Sequence, residues 1–283
     1  MNKRKEIIAK ILMIPSIPTV AVDIVHMAQN PNIDIQELSK KIECDPGLTA
    51  NFLRMANSSY FGSTRSITTV KNAVMRLGVN TIYKIIIMSS VSPMMWNTIG
   101  GYDLAPGKLL EHLLATAIGT NKLANILHLK VPDYAYTAAL IHDIGKIVLG
   151  MFVAVDIDPI MACVYNEGIS FEAAEKKILG IDHAEVGALL LESWKLPEVI
   201  VEAVRLHHKL DTISAQVSVP EIVHVSDILS LLGGWGCGCD GLNYAVSENA
   251  MAKLKLTEDQ MDTLMYQVST ELLELRGLMV DPT

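Results

Sequence analysis

Apolar residues recur at helical intervals along nearly the whole of this chain, and no segment demands a sheet. The period is clear from Leu48 through Phe52, Leu53 and Ala56, from Ala73 to Leu77, from Leu109 to Leu123 and from Ala135 to Val148. Start signals agree with it. Asp34 and Glu37 have capping-box spacing ahead of Leu38 and Ile42, and Asp45-Pro46 supplies an N-cap followed by proline at the first helical position. In the second half Pro132-Asp133, Asp182, Pro197-Glu198 and Pro220-Glu221 each open a further apolar run. The fold class expected is all-α.

At 283 residues with half of them hydrophobic and 19% charged, the chain can bury a large core. Two lobes are expected, divided near Asp103 to Gly107 into residues 1–104 and 105–283. The formal charge of −8 argues against nucleic acid as the main partner, because phosphate binding draws on clustered Lys and Arg. The start of the chain has no secretory core, and its Ile7, Ile8, Ile11 and Leu12 suit an amphipathic helix. The most membrane-like run, Ile82 to Trp96, contains Lys84, serines and Pro93 and falls short of the roughly 20 apolar residues of a span. A cytoplasmic protein with no membrane partner is therefore expected. Cys44, Cys163, Cys237 and Cys239 have neither redox nor zinc-ribbon spacing and read as structural thiols. Gly233 to Gly241 lacks the lysine and threonine of a phosphate loop and reads as a bend or mobile loop.

Against this apolar background stand His112, His142-Asp143, His183, His207-His208 and Asp227. Each sits inside a hydrophobic, helix-like segment, where a free polar group is costly to bury, and all are common ligands of transition metals. Taken singly, each has an ordinary explanation. His112 could be a satisfied core histidine, His183 a first-turn residue facing solvent, and His207-His208 a favourable charge at a helix C-terminus. Asp227 could cap or hydrogen-bond, and His142 and Asp143 could bond each other while Lys146 is solvated. Their joint occurrence favours a metal. Placed on one helix, His142 and Asp143 would point about 100° apart and approach one cluster from two sides. Asp143 could then bridge two ions, and Lys146, one turn after His142, could meet a phosphate oxygen. His26 and His128 match no ligand pattern, and His224 stands one turn from Asp227.

Several motifs carry a resemblance that physics alone does not name. Pro15-Ser16-Ile17-Pro18, Asp45-Pro46-Gly47-Leu48-Thr49 running on to Met55-Ala56-Asn57-Ser58, and Ala73-Val74-Met75-Arg76-Leu77-Gly78 resemble successive signatures of the HDOD family of bacterial signalling proteins. So do Leu179-Gly180-Ile181-Asp182-His183-Ala184-Glu185-Val186-Gly187, Trp194-Lys195-Leu196-Pro197 and His207-His208. The resemblance implies a helical fold related to the HD-domain phosphohydrolases, with an N-terminal lobe packed on an HD-like lobe. Ile141-His142-Asp143-Ile144-Gly145-Lys146 also resembles the central motif of the related HD-GYP phosphodiesterases, whose remaining ligands His112, His183, His207, His208 and Asp227 match in order. Two departures stand out. Lys108 occupies the place of that family's metal-binding glutamate, and Lys209-Leu210-Asp211 replaces the Gly-Tyr-Pro signature.

The mixed nitrogen and oxygen set suits two divalent ions of iron, manganese or zinc. The first functional expectation is a regulatory module that engages a signalling protein through its N-terminal lobe and keeps the metal pocket as a structural or sensing site. The alternative is an active metal-dependent phosphohydrolase on a nucleotide or cyclic dinucleotide, with Asp143 and Lys146 in the catalytic roles. A helix-turn-helix nucleic-acid binder is disfavoured by the charge and by the absence of a basic stripe.

Overall fold

The computed structural model of the protein describes residues 3–27, 33–58, 66–210 and 216–275. The described residues form helices joined by short turns, with no strand beyond one isolated bridge between Ile99 and Leu104. The first six helices are α1 (Lys3–Ile11), α2 (Thr19–Met27), α3 (Ile35–Glu43), α4 (Pro46–Ala56), α5 (Val70–Leu77) and α6 (Val79–Met95). A 3₁₀ turn at Gly100–Tyr102 leads to α7 (Lys108–Ile126) and α8 (Tyr134–Ile141). A single helical turn, α9 (Gly145–Ile147), then runs into a π-helical turn at Val148–Phe152. The remainder is α10 (Asp158–Glu167), α11 (Phe171–Leu179), α12 (His183–Ser193), α13 (Glu198–Leu206), α14 (Val219–Leu232), α15 (Glu248–Leu254) and α16 (Glu258–Leu275).

The start signals act as the sequence suggests. Asp34 Oδ1 accepts from the Gln36 N–H at 2.8 Å and Asp45 Oδ1 from the Leu48 N–H at 2.9 Å, so both helices begin on a satisfied donor. Asp182 caps α12 by accepting from the Glu185 N–H at 2.7 Å. Ser218 and Glu221 form the capping box of α14, in which the Glu221 carboxylate accepts from the Ser218 N–H at 2.7 Å.

Helices α2 to α6 pack mainly on one another, while α6 also touches α7 and α8. α1 leaves that group and lies against α12 and the π-helical turn. α7 is buried on most of its length between α8, α14 and α16. One continuous apolar cluster runs through all of these elements. The Ile82–Trp96 run, too short for a span, is the mostly buried part of α6 and its C-cap, with Pro93 in the last turn. Among the described residues the stretch long and apolar enough to cross a membrane is instead Tyr134–Phe152, and 89% of it is buried inside the fold. That burial is what a central core helix requires.

Two local readings change. α8 ends at Ile141, so His142 and Asp143 lie not within one helix but in the turn between α8 and α9. The turn is closed by i to i+3 bonds, from the Ile144 N–H to the Ile141 carbonyl at 3.1 Å and from the Lys146 N–H to the Asp143 carbonyl at 2.9 Å. A Cβ on Gly145 would fall 1.9 Å from the His183 carbonyl oxygen, so only glycine lets α9 press against α12. The Gly233–Gly241 segment is a bend, yet it is wedged rather than loose. Gly236, at φ +66°, sits where a Cβ would meet the Lys108 carbonyl oxygen at 2.1 Å.

Candidate metal centre

Seven side chains from five parts of the chain converge. His112 comes from the second turn of α7, His142 and Asp143 from the turn after α8, and His183 from the first turn of α12. His207 and His208 follow α13, and Asp227 comes from α14. His112, His142, Asp143, His183, His207 and Asp227 are each at most 2% exposed; the His208 ring is partly open.

Asp143 divides the cluster. Its Oδ2 lies 3.5 Å from His112 Nε2 and 3.6 Å from His142 Nε2, and these rings are 3.0 and 3.6 Å from Asp227 Oδ1. Its Oδ1 lies 3.2 Å from His183 Nε2 and 3.8 Å from His207 Nε2. His208 Nε2 completes the second set, 3.1 Å from His183 Nε2. The two sets of ligand-type atoms, His112, His142 and Asp227 on one side and Asp143, His183, His207 and His208 on the other, are each compact enough to surround a cation.

Hydrogen bonds set the ring tautomers. His142 Nδ1 stands 2.8 Å from the Ala139 carbonyl oxygen and His207 Nδ1 2.6 Å from that of Val204. A carbonyl can only accept, so each Nδ1 carries hydrogen and each Nε2 is the ring atom turned toward the cluster. His183 is held by Glu175, whose Oε2 accepts from its Nδ1 at 2.6 Å and from its backbone N–H at 2.9 Å. The Tyr102 hydroxyl donates to the other Glu175 oxygen. Such outer partners orient imidazole ligands and raise their basicity.

The residues fit a bound cation. His142 Nε2, His207 Nε2, Asp143 Oδ1 and Asp227 Oδ1 are buried without a well-formed hydrogen bond, an arrangement that is costly unless an ion satisfies them. Two imidazoles with bonds of about 2.1 Å to one ion have nitrogens roughly 3.0–3.4 Å apart, and the His183–His208 spacing falls in that range. Three buried carboxyl groups, Asp143, Asp227 and Asp240, act on one buried lysine, Lys146.

Electrostatics follow from this crowding. Burial disfavours the Asp143 carboxylate, but Lys146 and His142 hold its pKa well below the usual range; His112 and His142 do the same for Asp227. Burial also works against the His112 imidazolium, yet its bonds to Asp143 and Asp227 raise the pKa to about 9. Glu175 and Asp143 overcome burial at His183, whose pKa is raised well above the usual value. His207 goes the other way, to about 3, through burial and the neighbouring His142. His208 is depressed by burial and His207, so neither ring is the cationic helix terminator that was one reading of this pair.

Lys146 is neither solvated nor free. Its Nζ is 2.7 Å from Asp143 Oδ2 and 2.5 Å from Asp240 Oδ2, and these carboxylates keep its pKa high against burial. The Tyr244 hydroxyl donates to Asp240 at 2.7 Å, and the Tyr244 ring stacks on His208 with centroids 4.8 Å apart. Asp240, Glu175, Tyr102 and Tyr244 were not singled out from the sequence. The weak signal was Asp240 inside a glycine-rich bend, a place where polar residues are ordinary. Lys108 is turned to the surface, where it pairs with Glu111 at 2.5 Å. Asp211, part of the segment replacing Gly-Tyr-Pro, lies outside the described residues. His224 Nε2 accepts from the Ser247 N–H at 3.0 Å, and its ring stands 6.0 Å from that of His208, beside the cluster. His26 reaches the Lys195 carbonyl at 2.7 Å, remote from it. The four cysteines are free thiols.

Known proteins share this architecture. An HDOD domain protein of unknown function from Geobacter sulfurreducens superposes with a TM-score of 0.71 at 23% identity, over 97% of this chain and 93% of that one. A candidate phosphohydrolase from Shewanella amazonensis SB2B gives 0.69 at 22% identity, over 97% and 98%. At these identities the likeness is one of fold. An uncharacterized protein of Treponema pallidum (strain Nichols) is 24% identical over 209 residues, 70% of this chain but 38% of that protein, so the chain spans well under half of that relative. The model of the HDOD domain matches residues 14–210, which takes in six of the seven converging side chains, all but Asp227, and the chain thus belongs to the HDOD family.

Proposed function

We propose that this protein is a regulatory HDOD module of bacterial signal transduction whose HD-type cluster holds two divalent transition-metal ions, of iron, manganese or zinc, in a structural or sensing role. The observation that carries this reading is the closure of the cluster around Asp143: its two oxygens face two separate groups of ring nitrogens, and six of the seven ligand-type side chains are at most 2% exposed. An enzyme of this kind needs its ions within reach of a phosphate. Here Lys146, the cation best placed to receive one, is already committed to Asp143 and Asp240. In this reading residues 1–104 form the lobe that engages a signalling protein in the cytoplasm, and residues 105–283 the metal-bearing lobe.

The second reading, a metal-dependent phosphohydrolase acting on a nucleotide or cyclic dinucleotide, is favoured by the intact ligand-type set. Bound divalent ions would supply Lewis acidity toward a phosphoryl oxygen. Of the protein's own residues, Glu175 and the Ala139 and Val204 carbonyls orient the rings, and Lys146 fixes the Asp143 carboxylate. Metal analysis of the purified protein, followed by assay against bis(p-nitrophenyl) phosphate and cyclic dinucleotides with added manganese or iron, separates the two. Metal without turnover is expected. Turnover that His142→Ala and Asp143→Ala both abolish would replace the regulatory reading with the enzymatic one.

A further inference from the structure

Away from the metal cluster, a cleft of about 490 Å³ opens between helices α2 and α6 on one side and α7, α8 and α13 on the other. Its volume lies in the range of small-molecule sites, roughly 300–1,000 Å³. Val25, Val131, Pro132, Val199 and Ile200 give it apolar walls, and Tyr83 and Tyr134 give it two aromatic ones. Among these walls stands Lys84. Its ammonium has no carboxylate within ion-pair distance among the described residues and rests 4.3 Å from the Tyr136 ring centroid. Glu271 and Asp133 act on it only from farther off, and burial draws its pKa down, the mark of a cation short of a counter-charge. Tyr83 is 7% exposed, and its hydroxyl is buried without a hydrogen-bond partner. Asn80, Asn121 and Thr137 add donors and acceptors to the lining, and Asp133 places one carboxylate in it, beyond ion-pair distance of Lys84.

We infer that this cleft is a binding site for a small organic anion with a flat apolar body, in which Lys84 meets the anionic head and Tyr83 supplies a hydrogen bond. Both groups are expensive to bury as they stand, and one ligand of that chemistry satisfies both. The aromatic walls suit a planar body, and a partly desolvated ammonium favours a sulfonate, phosphate or carboxylate over a neutral group. The walls also connect to the cluster by the chain itself. Asn121 lies on α7 with His112, Thr137 on α8 five residues before His142, and Ile200 on α13, which leads into His207.

The test uses 2-naphthalenesulfonate and its neutral counterpart 2-naphthalenesulfonamide as probes, with binding to the full chain followed by calorimetry. The sulfonate is expected to bind at one site and about tenfold more tightly than the sulfonamide, in keeping with a charge-assisted bond. Lys84→Met should erase that preference, and Tyr83→Phe should weaken both probes. Val199→Trp, at an exposed cleft position well away from the cluster, should block both while leaving the fold intact. Affinity unchanged by EDTA separates the cleft from the metal centre. Absence of saturable binding, a preference that survives Lys84→Met, tight binding in Val199→Trp, or loss of binding with EDTA would each overturn the inference.

Discussion

Up to Leu104 the polar side chains buried among the described residues are two serines, Ser39 and Ser89, beside the hydroxyls of Tyr83 and Tyr102, whereas beyond it burial takes in five histidines, six carboxylic acids and a lysine. The serines are cheaply satisfied: Ser39 Oγ donates to the Ile35 carbonyl one turn back, and Ser89 Oγ to the Met55 sulfur. The first region is held by apolar packing together with local bonds such as the pair between the Asn57 side chain and the Ile67 backbone. The second carries a polar core inside an apolar shell, where each charged group depends on another. An apolar core tolerates the loss of one contact in proportion to its size; a buried charge network does not, because the surviving partner is stranded.

That contrast can be broken most directly at Asp143. Asp143→Ala should cost about 3–5 kcal/mol in denaturant unfolding, the usual penalty for stranding a buried charge, and should empty both metal positions in elemental analysis. Retention of one full metal equivalent would show that Asp143 is not shared. Ile86→Ala in α6, a fully buried apolar site of the first region, should cost roughly 2–5 kcal/mol as a cavity yet leave metal content unchanged. Loss of metal there would mean that the two regions are one energetic unit. Glu175→Gln should weaken binding at the His183 side by about 10–100-fold in a competitive chelator titration, since the ring keeps its place but loses its carboxylate partner.

The next effect is one of pH. In metal-free protein His112, raised to about 9, contributes stability that is complete below its unfolded value near 6.5 and is lost as pH rises through 9. His207, lowered to about 3, is neutral in the fold and protonated in the unfolded chain below 6.5, so stability also falls as pH drops from there. Thermal unfolding of the EDTA-treated protein should therefore peak near pH 6.5. With metal bound, the loss toward pH 9 should vanish, because the ion takes the place of the proton. The smallest change belongs to the first region. Ser89→Ala should cost under about 1 kcal/mol and leave both metal and pH profile untouched.

Much of the helical layout was legible because its signals are local. Asp45-Pro46 caps α4 and Asp182 caps α12 through atoms three residues away, and such bonds need no distant partner. The end of α8 was not legible. Apolar periodicity runs on from Ala135 to Val148 through the turn that follows Ile141, and at the far side of that turn Gly145 meets the His183 backbone from 38 residues farther along. Asp240 was hidden for a similar reason, since an aspartate in a glycine-rich bend looks like ordinary turn chemistry until Lys146 is found across from it.

The sequence by itself determined the helices, the apolar stripes that bury them and the identity of the side chains able to bind metal, since propensity, caps and donor atoms are properties of residues and their near neighbours. Tertiary structure alone decided that His112, His142, Asp143, His183, His207, His208 and Asp227 meet, that Asp143 turns one oxygen toward each group, and that Lys146 is neutralised from the Gly233–Gly241 bend. Distances across a cluster depend on how helices far apart in the chain pack, and packing is fixed by the fit of whole surfaces rather than by any one segment.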